Sequence, residues 1–285
     1  MVEFSEVAER AARAGGQVLL EWIGRFNVRE KGPSDLVTDA DLASQKVICE
    51  VLHAAFPSHD VLGEEDKVAA PRTSPYRWII DPLDGTTNYV HRVPHFCVSI
   101  ALEHEGKLLT GCIYDPSSRE CYTASSGRGE YLNGKRIQAA TTASLSQSLI
   151  AAGFPAKVNP ESREIRDLNK LIVAGQAIRR TGSAALNLCY VACGRFDAYW
   201  ARRNQGLGRR RRGAVDPRSG RRRHGFRRSS RRYGTTAFTR RRHAGLTQGT
   251  VRFGRRPLNR VRIVVEFVRI TSASFRHKRR HRYAA

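Results

Sequence analysis

The chain has 285 residues and a formal charge of +24, enough length for one large domain or two smaller ones with a real core. The charge is uneven: residues 1–200 hold 22 Lys and Arg against 24 Asp and Glu, whereas residues 201–285 hold 28 against 2. The basic pI therefore describes the end of the chain, and it does not make a nucleic-acid or membrane-surface protein of the first two hundred residues.

Phe4, Val7, Ala8, Ala11, Ala12, Val18, Leu19 and Trp22 recur at helical spacing and predict an amphipathic helix over 3–23. A second helix is expected behind "DLVTDAD", capped by Thr38 or Asp39, with Val47, Ile48, Val51, Leu52 and Ala55 on its apolar stripe and an end near Pro57. Short strands follow at Val61–Leu62 and Trp78–Ile80, each running into acidic residues. From 96 to 133 the pattern is that of strands, with a hairpin turn at Glu105-Gly106-Lys107 and another turn at Asn133-Gly134. Helix is expected again after Ser162 and in "GSAALNLCYVACG", where Gly194 stops it, and "FDAYW" reads as a strand. This order predicts layers of helix, antiparallel-rich sheet and helix.

The six cysteines (Cys49, Cys97, Cys112, Cys121, Cys189, Cys193) form no CxxC pair and no His/Cys cluster of zinc spacing, so buried reduced thiols are expected. The N-terminal stretch has no secretory pattern and no apolar run approaches membrane-spanning length, which predicts a soluble cytoplasmic protein.

Two fragments carry chemistry. Asp81 and Asp84 flank Pro82-Leu83 at the end of an apolar strand, and Gly85-Thr86-Thr87 follow where a helix can begin. Two carboxylates on one tight loop repel unless a cation neutralises them, and a hard divalent ion with oxygen ligands, Mg²⁺ by default, suits the pair. Glu64, with Glu65 and Asp66, closes the other strand and can join the cluster, while the Gly85 and Thr86 N–H groups suit a phosphate oxygen. Taken singly, DxxDG is equally a capped turn and GEED a solvated loop. Their conjunction is more specific.

Over about residues 4–201 the chain resembles the inositol monophosphatase family, and "WIIDPLDGTTNYVH" (Trp78–His91) is close to that family's signature in full. The resemblance implies a layered αβαβα sugar-phosphatase fold and Mg²⁺-dependent hydrolysis of a phosphomonoester, inositol monophosphate first, by a metal-activated water. Relatives act on histidinol phosphate, fructose bisphosphate or 3′-phosphoadenosine nucleotides and commonly pair, so a homodimer is implied too. It implies that Glu64, Asp81, the Leu83 carbonyl and Asp84 bind metal. Asp84, Gly85, Thr86 and Thr87 hold the phosphate, and Asp41, with the Thr86 hydroxyl, orients the water. Glu65 counts among the catalytic acids. Arg179, Ser183 and Ala184 in "RRTGSAALNL" match the substrate side, although by residue type alone Arg179 is equally a surface ion pair and Ser183 a helix N-cap. His91 and His95 read as packing or loop residues, and Lys31 as solvated. Ala201 stands where the family often has an acid, which weakens the case for a polyol substrate.

After "FDAYW" the family pattern continues with a Trp-Asp pair, whose Asp completes the metal cluster, and then Glu-Ala-Gly-Gly; neither is present here. Of the 28 basic residues after position 200, 27 are Arg and only Lys278 is Lys, a bias that electrostatics does not explain. Written as CAA GGC CTG GGA CGT CGC CGC CGG GGC, Gln205–Gly213 read one base further on encodes Lys-Ala-Trp-Asp-Val-Ala-Ala-Gly. Permitted codons through Arg228 continue to Glu-Ala-Gly-Gly. The sequence therefore predicts an incomplete phosphatase domain over 1–200 and a frameshifted, mostly disordered arginine-rich tail over 201–285, with at best some order at 261–270 and impaired activity. The competing expectation is non-specific nucleic-acid binding through that tail.

Overall fold

The computed structural model describes residues 3–32, 35–66, 72–154, 158–201 and 236–237. Apart from Ala201 and Thr236–Ala237, the tail expected to be disordered, with the stretch 261–270, lies outside these residues. Helix α1 (Phe4–Trp22) buries Val7, Ala8, Ala11, Ala12, Gly15, Gly16 and Leu19, a stripe of mostly small side chains along which its neighbours approach closely. Strands β1 (Val28–Gly32) and β2 (Asp35–Thr38) pair antiparallel, Val28 opposite Thr38, and were not expected. Helix α2 (Asp39–Ala55) starts at Thr38, whose N–H and hydroxyl both donate to Asp41 Oδ2 at 2.8 and 2.6 Å. It stops at Phe56, ahead of Pro57.

Strand β3 (Asp60–Gly63) runs parallel to β4 (Tyr76–Asp84), longer than the predicted Trp78–Ile80 because pairing with the next strand carries it through the acidic loop. After the short helix α3 (Thr86–Val90), strands β5 (Cys97–His104), β6 (Lys107–Asp115), β7 (Glu120–Ser125), β8 (Gly129–Leu132) and β9 (Lys135–Arg136) continue the sheet in sequence order, all antiparallel. The two turns read from sequence lie at Glu105-Gly106 and Asn133-Gly134, where all four residues have positive φ, as type I′ hairpin turns require.

A second sheet, not foreseen from the pattern, contains β10 (Leu149–Gly153), then, beyond α4 (Arg163–Ala174), β11 (Ala177–Arg179), and beyond α5 (Ala184–Ala192), β12 (Ala198–Ala201) with the two-residue β13 (Thr236–Ala237). Ser162 and Ser183 cap α4 and α5, their side chains accepting from Ile165 N–H and Leu186 N–H. Strand β12 begins two residues later than "FDAYW", since Asp197 turns its carboxylate to Leu149 N–H at 2.7 Å.

Alternation places the layers. Trp78, Ile80, Val98, Ile100, Leu102, Cys112 and Tyr114 pack toward α1 and α2, while Cys97, Ile113, Tyr122 and Ala124 meet α5 on the other face. In the second sheet Ala151 and Tyr199 face α5, and Ile150, Ala152, Ala198 and Trp200 face Leu171 of α4. The fold is therefore αβαβα, with α5 enclosed between two sheets. All six cysteines are unbridged; Cys112 and Cys121 bring their sulfurs to 3.5 Å. Among the described residues no helix is long and apolar enough to cross a membrane.

Asp60 ties the start of β3 to the segment before β4, accepting from the Thr73 hydroxyl and N–H, Ser74 N–H and Arg77. Burial alone would raise its pKa, but these donors outweigh burial and lower it from 3.8 to about 2. A depressed carboxylate contributes stability above its unfolded pKa and loses it as pH falls toward the folded value. Asp60→Asn is accordingly expected to cost about 1–2 kcal/mol at pH 7, a gap that urea denaturation should see close between pH 4 and pH 2. An equal gap at both ends would contradict this account.

Candidate active site

The end of β4 is built to break its own ladder. Asp81 lies opposite Ser99 and Asp84 opposite Cys97, so three steps on β4 match two on β5, and the extra residue forms a bulge. Pro82, which cannot donate to a ladder, sits inside it. Leu83 N–H turns back to Asp81 Oδ1 at 3.2 Å. Gly85 follows at φ 103°, and a Cβ there would lie 3.0 Å from the His95 carbonyl, so both backbone conformation and space require glycine.

Helix α3 then begins at Thr86, whose hydroxyl donates to the Leu83 carbonyl at 3.1 Å, while Thr87 is exposed. Asn88 donates to both the His95 and Thr181 carbonyls at 2.7 Å and joins the bulge to the loop ahead of α5. That loop delivers Ser183, fully buried, whose hydroxyl donates to Asp84 Oδ2 at 2.5 Å and accepts from Leu186 N–H. Ala185 N–H reaches the same Asp84 oxygen at 2.7 Å. One oxygen of Asp84 is thus anchored on the positive end of α5. Ser183 is both an N-cap and a partner of Asp84, a link across 99 residues that sequence spacing could not show.

On the other side, Glu64 extends β3 by donating its N–H to the Ile80 carbonyl at 3.0 Å, next to the strand that bears Asp81. Asp66 turns away from this group: its Oδ2 accepts Gly63 N–H at 2.8 Å and its Oδ1 accepts from Gln45. Glu65 is partly buried on the same turn. Asp41, only 2 % exposed at the start of α2, is the fourth acid in range. The Asp81 carboxyl is pushed well above its usual range, first by burial and then by Glu64, Asp84 and Asp41. Asp84 rises to about 6: burial and Glu64 raise it against the lowering effect of Ser183 and the Ala184 and Ala185 N–H groups.

Among the described residues no three or more His, Cys, Asp or Glu side chains are gathered closely enough to clasp an ion by themselves. The donor set nonetheless fits a hard divalent cation, because mutual repulsion among buried carboxylates is what such an ion relieves. The Leu83 carbonyl retains a second lone pair beside its bond from Thr86. Arg179 is exposed at the end of β11, its guanidinium folded onto the Ile178 carbonyl at 3.1 Å, and Ala184 opens α5. His95 packs edge-on against Tyr190 and His91 is exposed behind α3, as packing and loop residues. Sequence reasoning passed over Ser44, Gln45 and Asn88. The signal for the first two was their spacing from Asp41, three and four residues on, which puts them on one helix face.

A model of the inositol monophosphatase family matches residues 1–207. The chain belongs to that family. Its match ends where the arginine-rich stretch begins. The chain is 42% identical over 202 residues to the Nus factor SuhB of Pseudomonas aeruginosa, spanning 68% of this chain and 74% of that protein. It is 39% identical over 182 residues to the inositol-1-monophosphatase of Rhizobium meliloti, spanning 63% of this chain and 68% of the relative. Among solved family structures, the extragenic suppressor protein SuhB of Bartonella henselae superposes with a TM-score of 0.66 at 38% identity, over 70% of this chain and 78% of that one. The inositol monophosphatase of Anabaena (Nostoc) sp. PCC 7120 gives 0.61 at 39% identity, over 70% and 74%.

Proposed function

We propose that this member of a phosphatase family is a cytoplasmic Mg²⁺-dependent phosphomonoesterase whose substrate is an inositol monophosphate. Relatives carry two kinds of name, inositol-1-monophosphatase and Nus factor. The observation favouring the first is the bulge that sets Asp81 and Asp84 beside Glu64 as repelling, partly buried acids. A structural turn has no use for that arrangement.

In this reading Glu64, Asp81, the Leu83 carbonyl and Asp84 would hold Mg²⁺, which when bound lowers the pKa of water and offsets charge on the phosphoryl oxygens. Asp41 and the Thr86 hydroxyl orient the attacking water, the hydroxyl releasing the Leu83 carbonyl to do so, with Glu65 as a further acid on the adjoining turn. Gly85, Thr86 and Thr87 receive the phosphate through N–H and hydroxyl groups. Ser183 acts by holding one oxygen of Asp84, and Ala184 and Arg179 border the leaving alcohol.

The same reading takes the residues from Gln205 onward as the product of a displaced frame, so that an acid expected in the Trp-Asp segment is missing and the chain as written turns over weakly. Phosphate release should be measured with and without Mg²⁺ from inositol 1-phosphate, histidinol phosphate, fructose 1,6-bisphosphate and a 3′-phosphoadenosine nucleotide, on this chain and on a frame-restored one. The expected result is Mg²⁺-dependent release, greatest with inositol phosphate and rising on restoration of the frame. Absence of Mg²⁺-dependent release from both proteins would refute the enzymatic reading, and preference for another substrate would refute the inositol assignment.

A further inference from the structure

The turn that carries Glu64 and Glu65 is held by one side chain outside the proposed chemistry. Gln45 lies on α2, one helical turn after Asp41, and its amide spans the turn. Its Oε1 accepts Glu65 N–H at 3.0 Å and its Nε2 donates to Asp66 Oδ1 at 2.8 Å, while Asp66 Oδ2 accepts Gly63 N–H at 2.8 Å. Gly63 leaves the room: a Cβ there would collide with the carbon, nitrogen and oxygen of the Gln45 amide. The residue before it, Ser44, is fully buried and directs its hydroxyl to the Pro82 carbonyl at 3.4 Å, inside the loop that bears Asp81 and Asp84. One face of α2 thus touches both acidic loops.

We propose that Gln45 is a positioning residue that sets the separation of Glu64 and Glu65 from Asp81 and Asp84, and with it the affinity of the group for a divalent cation. The proposal rests on the metal reading given above. The chemistry at this position needs one group that accepts from an N–H and donates to a carboxylate at once. A primary amide does both; a carboxylate has nothing to donate, an ammonium nothing to accept with, and an aliphatic chain neither.

That requirement gives a test by exchange of polarity. Gln45→Glu sets a new carboxylate against that of Asp66. Combining Gln45→Glu with Asp66→Asn restores both bonds, because an asparagine amide at that position can donate to the new carboxylate and still accept Gly63 N–H. The full chain should be titrated with Mg²⁺, without substrate, while its thermal midpoint is followed. Gln45→Ala and Gln45→Glu are expected to raise the Mg²⁺ needed for half-maximal stabilisation by about 10- to 100-fold. The double variant is expected to recover most of that loss. Hydrogen exchange at the Glu65 amide, read without metal, should quicken in Gln45→Ala and slow again in the double variant. A wild-type response that the single variants leave unchanged, or a double variant no better than Gln45→Glu, overturns the role of Gln45 alone. A wild-type chain indifferent to Mg²⁺ overturns the metal reading and this inference with it.

Discussion

Asp84→Asn is expected to abolish Mg²⁺-dependent stabilisation of the chain and, in a frame-restored protein, Mg²⁺-dependent phosphate release, while leaving the fold intact. The amide oxygen of asparagine can still accept from the Ser183 hydroxyl and Ala185 N–H, the two bonds that seat Asp84. What disappears is one negative charge facing Glu64 and Asp81. Without metal the variant should therefore be at least as stable as the parent, because a repulsion between buried like charges is relieved. With metal it should fall behind, its apparent affinity lowered by more than the roughly 10- to 100-fold that follows loss of an outer-shell partner. Opposite signs in the two conditions separate a lost ligand from a damaged fold. Parallel thermal melts with and without Mg²⁺ read both, and equal Mg²⁺ responses in parent and variant would remove Asp84 from the metal site.

The second large effect concerns the core beneath the site. Trp78 is fully buried in the middle of β4, between Phe4 (ring centroids 6.5 Å apart, edge-on) and Phe56 (5.8 Å, stacked). Trp78→Ala leaves a cavity that a rigid sheet cannot close, and it is expected to cost about 3–5 kcal/mol. Against total stabilities of about 5–15 kcal/mol, that loss approaches unfolding. Trp78→Phe provides the control. The indole Nε1 is buried with no hydrogen-bond partner among the described residues, so the phenyl ring gives up apolar contact but also removes an uncompensated polar group. The phenylalanine variant should lose much less than the alanine variant in urea denaturation. Equal losses would mean that ring area does not govern this part of the core.

The legible parts of the chain were those whose signals are local. Helices α1, α2 and α5 followed from apolar spacing, and both tight turns from Gly preceded by Glu105 or Asn133. The acids at 64, 81 and 84 stood out because short strings carry them, and Asp41 only through the family resemblance. Strands β1 and β2 did not, since "VREKG" sets three charged residues in a row between Val28 and Gly32 without alternation, and it pairs only because its partner lies beside it. Strands β10 and β11 were hidden for another reason: "LIAAG" and "AIR" are short and rich in small residues, equally compatible with a helix until parallel pairing within the second sheet decides. The site shows the same division. Which residues bear charge was readable; that Ser183 seats Asp84 and Gln45 grips the Glu65 turn depends on tertiary contacts.

If carboxylates on two neighbouring strand ends share a divalent cation, Mn²⁺ substituting for Mg²⁺ will reveal it by its anomalous scattering in a crystal. A peak is expected in direct contact with Asp81 and Asp84, with Glu64 drawn toward it. A crystal saturated with Mn²⁺ that shows no peak there, or shows Glu64 turned away from an occupied site, would contradict it.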